Sequence, residues 1–178
     1  MLMMKYSKTA HIPIIEEIAK GIKAAGNNQR YLELGIAKAR CFNRIAPYFE
    51  KSYAVDVNFE ALLNVSVKTL CVMKCVNTDV FFEQPRNIKF NLIFIDANHA
   101  IKNVVADTCH ALSVIADEGI IILHDTYAPD EESAPHCKDA WRIQEYLKSD
   151  DSLQYINLPF YYGLTIVKKH VKRKWWIE

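Results

Sequence analysis

Two kinds of apolar pattern alternate along the chain. Short continuous runs come first: Tyr31-Leu32-Glu33-Leu34 before Gly35, Tyr53-Ala54-Val55 before Asp56, Asn91-Leu92-Ile93-Phe94-Ile95 before Asp96, and Ile120-Ile121-Ile122-Leu123 before His124-Asp125. Runs of this length, bounded by polar or turn residues, predict strands covered on both faces. Between them the apolar residues recur with a helical period. Ile15, Ile18 and Ile22 predict a helix over residues 11–25, stopped by Gly26-Asn27-Asn28 and lying over one edge of the ligand pocket. Residues 36–42 read as a helix start, and Phe42, Ile45, Ala46 and Phe49 continue it until Pro47 ends or kinks it. Leu62, Leu63, Ser66 and Leu70 mark another helix, and Ile101, Val104, Val105, Thr108, Leu112 and Ile115 a long one.

Weaker signals fill the gaps. Cys75-Val76 predicts a third strand ended by Asn77-Thr78-Asp79, followed by a loop from Phe81 to Lys89 that contains Pro85. Glu118-Gly119 reads as a turn, and Thr126 to Lys138 as a long polar loop. Ala140, Trp141 and Leu147 belong to a last helix. Gln154–Asn157 and Leu164–Lys168 read as closing strands joined through Pro159-Phe160-Tyr161-Tyr162-Gly163. That join is too short for a crossover helix, so the two strands pair antiparallel. The alternation of strand and helix predicts an α/β three-layer sandwich with a mostly parallel sheet.

Composition narrows the picture. With 178 residues, one domain is expected: a helical extension over 1–29, a ligand-binding core over 30–168, and a basic, aromatic tail over 169–178. That tail suits edge packing or a homo-oligomer contact. A formal net charge of +1 gives no electrostatic case for nucleic acid or a membrane surface. The five cysteines are odd in number and scattered, with no second pair to complete a zinc site after Cys71 and Cys75. They fit reduced thiols, and with no signal-like or membrane-spanning run the expected location is cytoplasmic.

The candidate chemistry lies at strand ends. Glu33, Asp56, Asp79, Asp96 and Asp125 each follow an apolar run, and ligands of such sheets bind at the carboxyl edge. Gly35 lets the backbone approach a ligand, and a following helix would offer free N–H groups. Asp56 comes 23 residues after Glu33, one β-α-β crossover later, where a carboxylate can accept from both hydroxyls of a ribose. His99 follows Asp96 by three residues, which can bring both side chains to one pocket. A nicotinamide-type oxidoreductase is a rival, but positions 35–40 read Gly-Ile-Ala-Lys-Ala-Arg and lack the glycine turn that a pyrophosphate needs. The other rival is a binding or interaction module on the same fold.

Glu33-Leu34-Gly35, Asp56, Asp79, Phe94-Ile95-Asp96 and Gly119-Ile120-Ile121 resemble the motifs of class I S-adenosylmethionine-dependent methyltransferases. Asp96-Ala97-Asn98-His99, His124-Asp125-Thr126 and Tyr162-Gly163-Leu164 look like its small O-methyltransferase, macrolide-sugar O-methyltransferase and cephalosporin-hydroxylase-like subgroup. The resemblance implies a Rossmann-like, seven-stranded sheet with an antiparallel last strand. It implies methyl transfer to a hydroxyl oxygen of a small molecule, a sugar among them. By the same likeness Glu33, Gly35 and Ile36 lie near the methionine part of the cofactor, and Asp56 with Val57 at the ribose. Asp79 with Val80 lies at the adenine, and Asp96 beside the reacting centre. Asp96 and Asp125, with His124, stand where metal-dependent relatives hold a divalent cation, and His99 where some sugar methyltransferases have their general base. The chain departs from the pattern twice. Ala37 and Ala39 stand where further glycines occur, and His124-Asp125 replaces a pair of acids. Oxygen ligands suit magnesium, while a mixed nitrogen and oxygen set suits zinc, iron or manganese.

Overall fold

The computed structural model describes residues 9–83, 87–128, 134–160 and 162–170. Seven strands form one sheet: β1 (Arg30–Leu34), β2 (Lys51–Asp56), β3 (Leu70–Cys75), β4 (Phe90–Ile95), β5 (Ile115–His124), β6 (Leu153–Leu158) and β7 (Leu164–Lys169). Their spatial order is β3-β2-β1-β4-β5-β7-β6. The first five pair parallel, and β7 runs antiparallel to both β5 and β6. This is the seven-stranded sheet with an antiparallel last strand that the resemblance implied.

Period-two alternation along the strands divides the core between two faces. Tyr31, Ala54, Leu92, Phe94 and Ile122 face α1 (His11–Ala24), α2 (Arg40–Ile45) and α3 (Phe59–Leu62). Leu32, Leu34, Val55, Ile93, Ile95 and Ile121 face α4 (Thr78–Glu83), α5 (Ile101–Val114) and, beyond the short α6 (Ala134–Cys137), α7 (Ile143–Leu147). All six residues of β4 are buried, which explains its uninterrupted apolar sequence. Pro47 sits in a 3₁₀ turn over Ala46–Tyr48 and ends α2, as its ring requires.

Several predicted boundaries move. Residues 36–39 form a tight loop, and α2 starts only at Arg40, because Ala37 and Ala39 take positive φ values of 44° and 53° that no helix accommodates. The helix predicted to reach Leu70 is a single turn, α3, capped by the Asn58 side chain accepting from the Glu60 N–H at 2.9 Å. Leu70 instead opens β3, the edge strand, where it stays exposed. Asn77-Thr78-Asp79, read as a turn, leads into α4, whose first turn holds Asp79. Of the loop predicted after Phe81, residues 84–86 lie outside the described residues, as do 129–133 of the long polar loop, Tyr161 and the tail from 171. Ile115 is the C-cap of α5 and not part of its apolar stripe. It pairs with Phe90 at the start of β5, and the register then slips so that Leu92 faces Ile120. Glu118-Gly119 is absorbed in that irregularity.

Candidate active site

The site is built where β1, β2 and β4 end. Gly35 has φ 79°, and a Cβ there would lie 2.3 Å from the Asp96 carbonyl oxygen, so only glycine lets the end of β1 pass this close to the end of β4. The Gly35 N–H donates to the Val55 carbonyl at 2.8 Å, and the Asp96 N–H to the Leu34 carbonyl at 2.8 Å. Asp56 then shapes the loop after Gly35. Its Oδ2 accepts from the N–H groups of Ile36 (2.9 Å) and Ala37 (3.1 Å), and its Oδ1 from that of Asn58 (2.8 Å). Asp56 thus ties the Ile36-Ala37 backbone in place, and the Ala39 N–H closes the turn onto the Ile36 carbonyl at 2.6 Å.

A cleft of about 900 Å³ opens at this edge. Gly35, Asp56, Val57, Asp79, Asp96 and His99 all line it. That volume lies within the range of small-molecule and cofactor sites. Glu33, Ile36 and Val80 are absent from its lining. Glu33 points to the opposite side of the sheet, the same side as Tyr31, where it is 1% exposed. It accepts from the Tyr31 hydroxyl and bonds Cys41 and the Phe42 N–H at the start of α2. Burial dominates its electrostatics and pushes its carboxyl up to about 8, against those hydrogen bonds. Glu33 thus makes a buried contact at the start of α2. Ile36 contributes its N–H to Asp56 and buries its side chain, and Val80 faces outward on α4.

On the other side of Asp96 stands a cluster of acids and imidazoles. His99 lies in the turn before α5, with Nε2 3.4 Å from Asp96 Oδ1 and 3.1 Å from Asp125 Oδ2. Its Nδ1 meets the His136 carbonyl at 2.8 Å, so the ring donates there and presents Nε2 to the carboxylates. His124 Nδ1 lies 3.2 Å from Asp96 Oδ1 and 3.3 Å from Asp125 Oδ1. Asp139, from the segment after α6, accepts the Ile101 N–H at 2.7 Å and pins that segment to the α5 N-terminus. The hydrogen bond with Asp96, opposed by burial and aided by Asp125, lifts His99 to about 9. Burial alone would raise Asp96, but His124 and His99 hold it well below the usual carboxylate range. Burial raises Asp125, which has φ 58° and one buried oxygen, Oδ1, that makes no hydrogen bond although His124 Nδ1 lies 3.3 Å away. At rest the cluster is therefore an ion pair of protonated His99 with Asp96.

Asp96, His124 and Asp125 present donor atoms within 4.8 Å of one another. The orphaned Asp125 oxygen and the mixed donor set fit a divalent cation, so the three residues singled out in the sequence converge. His11 was not singled out. It opens α1, is 6% exposed, meets the His124 ring at a tilt with 4.2 Å between ring centroids, stacks on Phe94 at 5.7 Å, and is held neutral by burial, with its pKa lowered to about 4. Lys138, with φ 45°, and Asn103 and Asp107 of α5 line the cleft and were likewise not singled out. Polar residues beside an apolar helical stripe were the signal available for the last two.

Comparison with solved structures returns the same architecture. PaMTH1, a methyltransferase of Podospora anserina solved with S-adenosylhomocysteine bound, superposes with a TM-score of 0.71 at 14% identity over 94% of this chain and 81% of its own. An O-methyltransferase of Bacillus cereus in complex with S-adenosylhomocysteine gives 0.64 at 16% identity, covering 94% and 84%. TomG, an O-methyltransferase of Streptomyces achromogenes involved in tomaymycin synthesis and solved with S-adenosylmethionine, gives 0.65 at 15% identity, covering 94% and 92%. No curated protein sequence matches the chain. Among the described residues no helix is long and apolar enough to cross a membrane. A family model described as a methyltransferase domain matches residues 26–126, from just before β1 to just past Asp125. That is more than half of the chain, and the chain belongs to this methyltransferase-domain family.

Proposed function

We propose that the protein transfers the methyl group of S-adenosylmethionine to a hydroxyl oxygen of a small molecule, a sugar or another hydroxylated metabolite. The observation that carries this reading is the convergence of Gly35, Asp56, Asp96 and His99 on one cleft. The cofactors printed for the solved neighbours support the methyl donor. Asp56 is the candidate ribose acceptor. Its two oxygens receive three backbone bonds, and a carboxylate has about four lone-pair sites, so at least one direction stays free.

In this reaction the acceptor oxygen attacks the methyl carbon, the C–S bond breaks towards sulfur, and the hydroxyl proton leaves to a base. Alignment of the three centres supplies much of the rate. His99 is the candidate base, with its tautomer set by the His136 carbonyl. Because it rests protonated beside Asp96 and Asp125, it must first lose that proton. The sulfonium charge favours the loss. Asp96, Asp125 and His124 would hold a divalent cation, which supplies Lewis-acid lowering of a hydroxyl pKa.

Titration calorimetry with S-adenosylmethionine and S-adenosylhomocysteine tests the proposal. Binding is expected for both. Asp56→Ala should weaken it by on the order of 1.5–3 kcal/mol for each charge-assisted ribose bond lost. Binding of a nicotinamide dinucleotide in their place would turn the assignment to the oxidoreductase rival. Binding of the cofactor with no methyl transfer across hydroxylated acceptors would leave a binding module.

A further inference from the structure

Val57, Val76, Ala97 and Ala106, from four separate segments, give the cleft part of its apolar lining. Two of the carboxyls in that lining, Asp79 and Asp107, are neighbours and are not equivalent. Asp79 is largely in water, with 69% of its side chain exposed and its nearest ionic partner, His110 Nδ1, at 3.9 Å. Asp107 is 1% exposed, projects from α5 and lines the cleft, and the Thr78 side chain hydrogen-bonds to it. His110, one turn further along α5, stacks on Phe82 of α4 at 4.9 Å. α4 and α5 are thus locked together around Asp107.

Apolar lining together with a buried acceptor, Asp107, suits a flat heteroaromatic ring that carries an amino group. A sugar or an amino-acid tail would leave the apolar walls unused. A buried acceptor discriminates between ligands far better than an exposed one, because water cannot substitute for a lost partner. We propose that Asp107, rather than the exposed Asp79, is the residue that selects adenine over other purines in the cofactor, by accepting from its exocyclic amino group. The proposal rests on the S-adenosylmethionine reading above. It assigns base selection to the seventh residue of α5, away from the strand ends.

The ionised carboxyl accepts from an N6–H, whereas the O6 carbonyl of hypoxanthine offers it no proton and meets it oxygen to oxygen. The probe is therefore the pair S-adenosylhomocysteine and S-inosylhomocysteine, titrated calorimetrically into wild type, Asp107→Asn, Asp79→Asn and Thr78→Val. Wild type is expected to bind the adenine compound at least ~10-fold more tightly, about 1.4 kcal/mol. Asp107→Asn keeps the shape and the bond to Thr78 but gains an N–H that can donate to O6, so the ratio should fall several-fold towards one. Asp79→Asn and Thr78→Val should leave the ratio unchanged, the latter lowering stability only. A ratio is independent of the folded fraction, so partial unfolding of a variant does not blur it. An unchanged ratio in Asp107→Asn, or a shift produced by Asp79→Asn instead, overturns the proposal. Failure of wild type to bind either compound would instead refute the cofactor reading itself.

Discussion

Glu33 offers a test in which the sign and the size both follow from its surroundings. It is buried at the start of α2 and its carboxyl is pushed up from 4.5 to about 8, chiefly by burial. Below pH 4.5 the folded and unfolded chains both hold the proton, and the group costs nothing. As the pH rises from 4.5 the unfolded chain releases the proton while the folded one retains it, so stability falls until about pH 8. Each unit costs up to about 1.4 kcal/mol, and the whole window on the order of 3–5 kcal/mol. That is a large share of the ~5–15 kcal/mol typical of a domain. Glu33→Gln is isosteric and does not titrate. Its amide faces the Phe42 N–H or the Cys41 thiol, so a constant offset of about 1–3 kcal/mol is expected. The offset does not carry the test. Urea unfolding of both proteins at half-unit steps from pH 5 to 8.5 should give a wild-type curve that falls relative to the variant. Histidines of the active-site cluster titrate in both proteins and cancel in the difference. A difference that stays flat across this window would show that Glu33 ionises near its ordinary value, and that the three donors around it outweigh burial.

Other outcomes follow from the loop and the cluster. Ala37→Gly, at an exposed position with φ 44°, should stabilise by ~0.5–1 kcal/mol, strain relief exceeding the entropy that glycine adds to the unfolded chain, and calorimetric melting would read a rise of about 1–3 °C. Gly35→Ala should cost on the order of 3–5 kcal/mol and abolish cofactor binding, since its Cβ would meet the Asp96 and Ala97 backbone; binding with native affinity would show that β1 and β4 can separate there. In chelated buffer the rate of methyl transfer should rise with pH up to about 9 as His99 loses its proton, and a profile flat from pH 7 to 9.5 with chemistry rate-limiting removes His99 as the base. Exhaustive chelation should lower turnover, and manganese or zinc should restore it better than magnesium, given the imidazole among the ligands; undiminished turnover shows that no cation is needed.

The buried strands were legible because a strand covered on both faces has no polar positions to confuse the pattern, and the acids at their ends followed from where such strands stop. Sheet topology alone then brings Asp96, His99, His124 and Asp125 together, since β4 and β5 are parallel neighbours. The edge strand β3 was mostly missed. One side of it meets water, so Leu70 and Met73 are exposed and its apolar residues look like a helix continuation. α4 was missed because the residues that make a turn also start a helix. Positive φ at Ala37 and Ala39 cannot be read from alanine, whose intrinsic preference is helical. Glu33 was placed by motif at the ligand, yet in strand alternation it shares a face with Tyr31 and so turns towards α2. His11 reaches His124 through the packing of α1 on the sheet, a long-range contact that no local pattern encodes.

The position of β7 bears on how the chain is made. β7 follows every other strand in the sequence yet lies inside the sheet, hydrogen-bonded to β5 on one side and β6 on the other. Until residues 164–169 emerge from the ribosome, β5 is an open edge that presents Ile121, Ile122 and Leu123 with unpaired backbone, an invitation to pair with another nascent chain. A chain truncated before Leu164 would keep Asp96, His99, His124 and Asp125 and still be expected to aggregate. Low temperature or a holdase chaperone during expression should therefore raise the yield of the full chain.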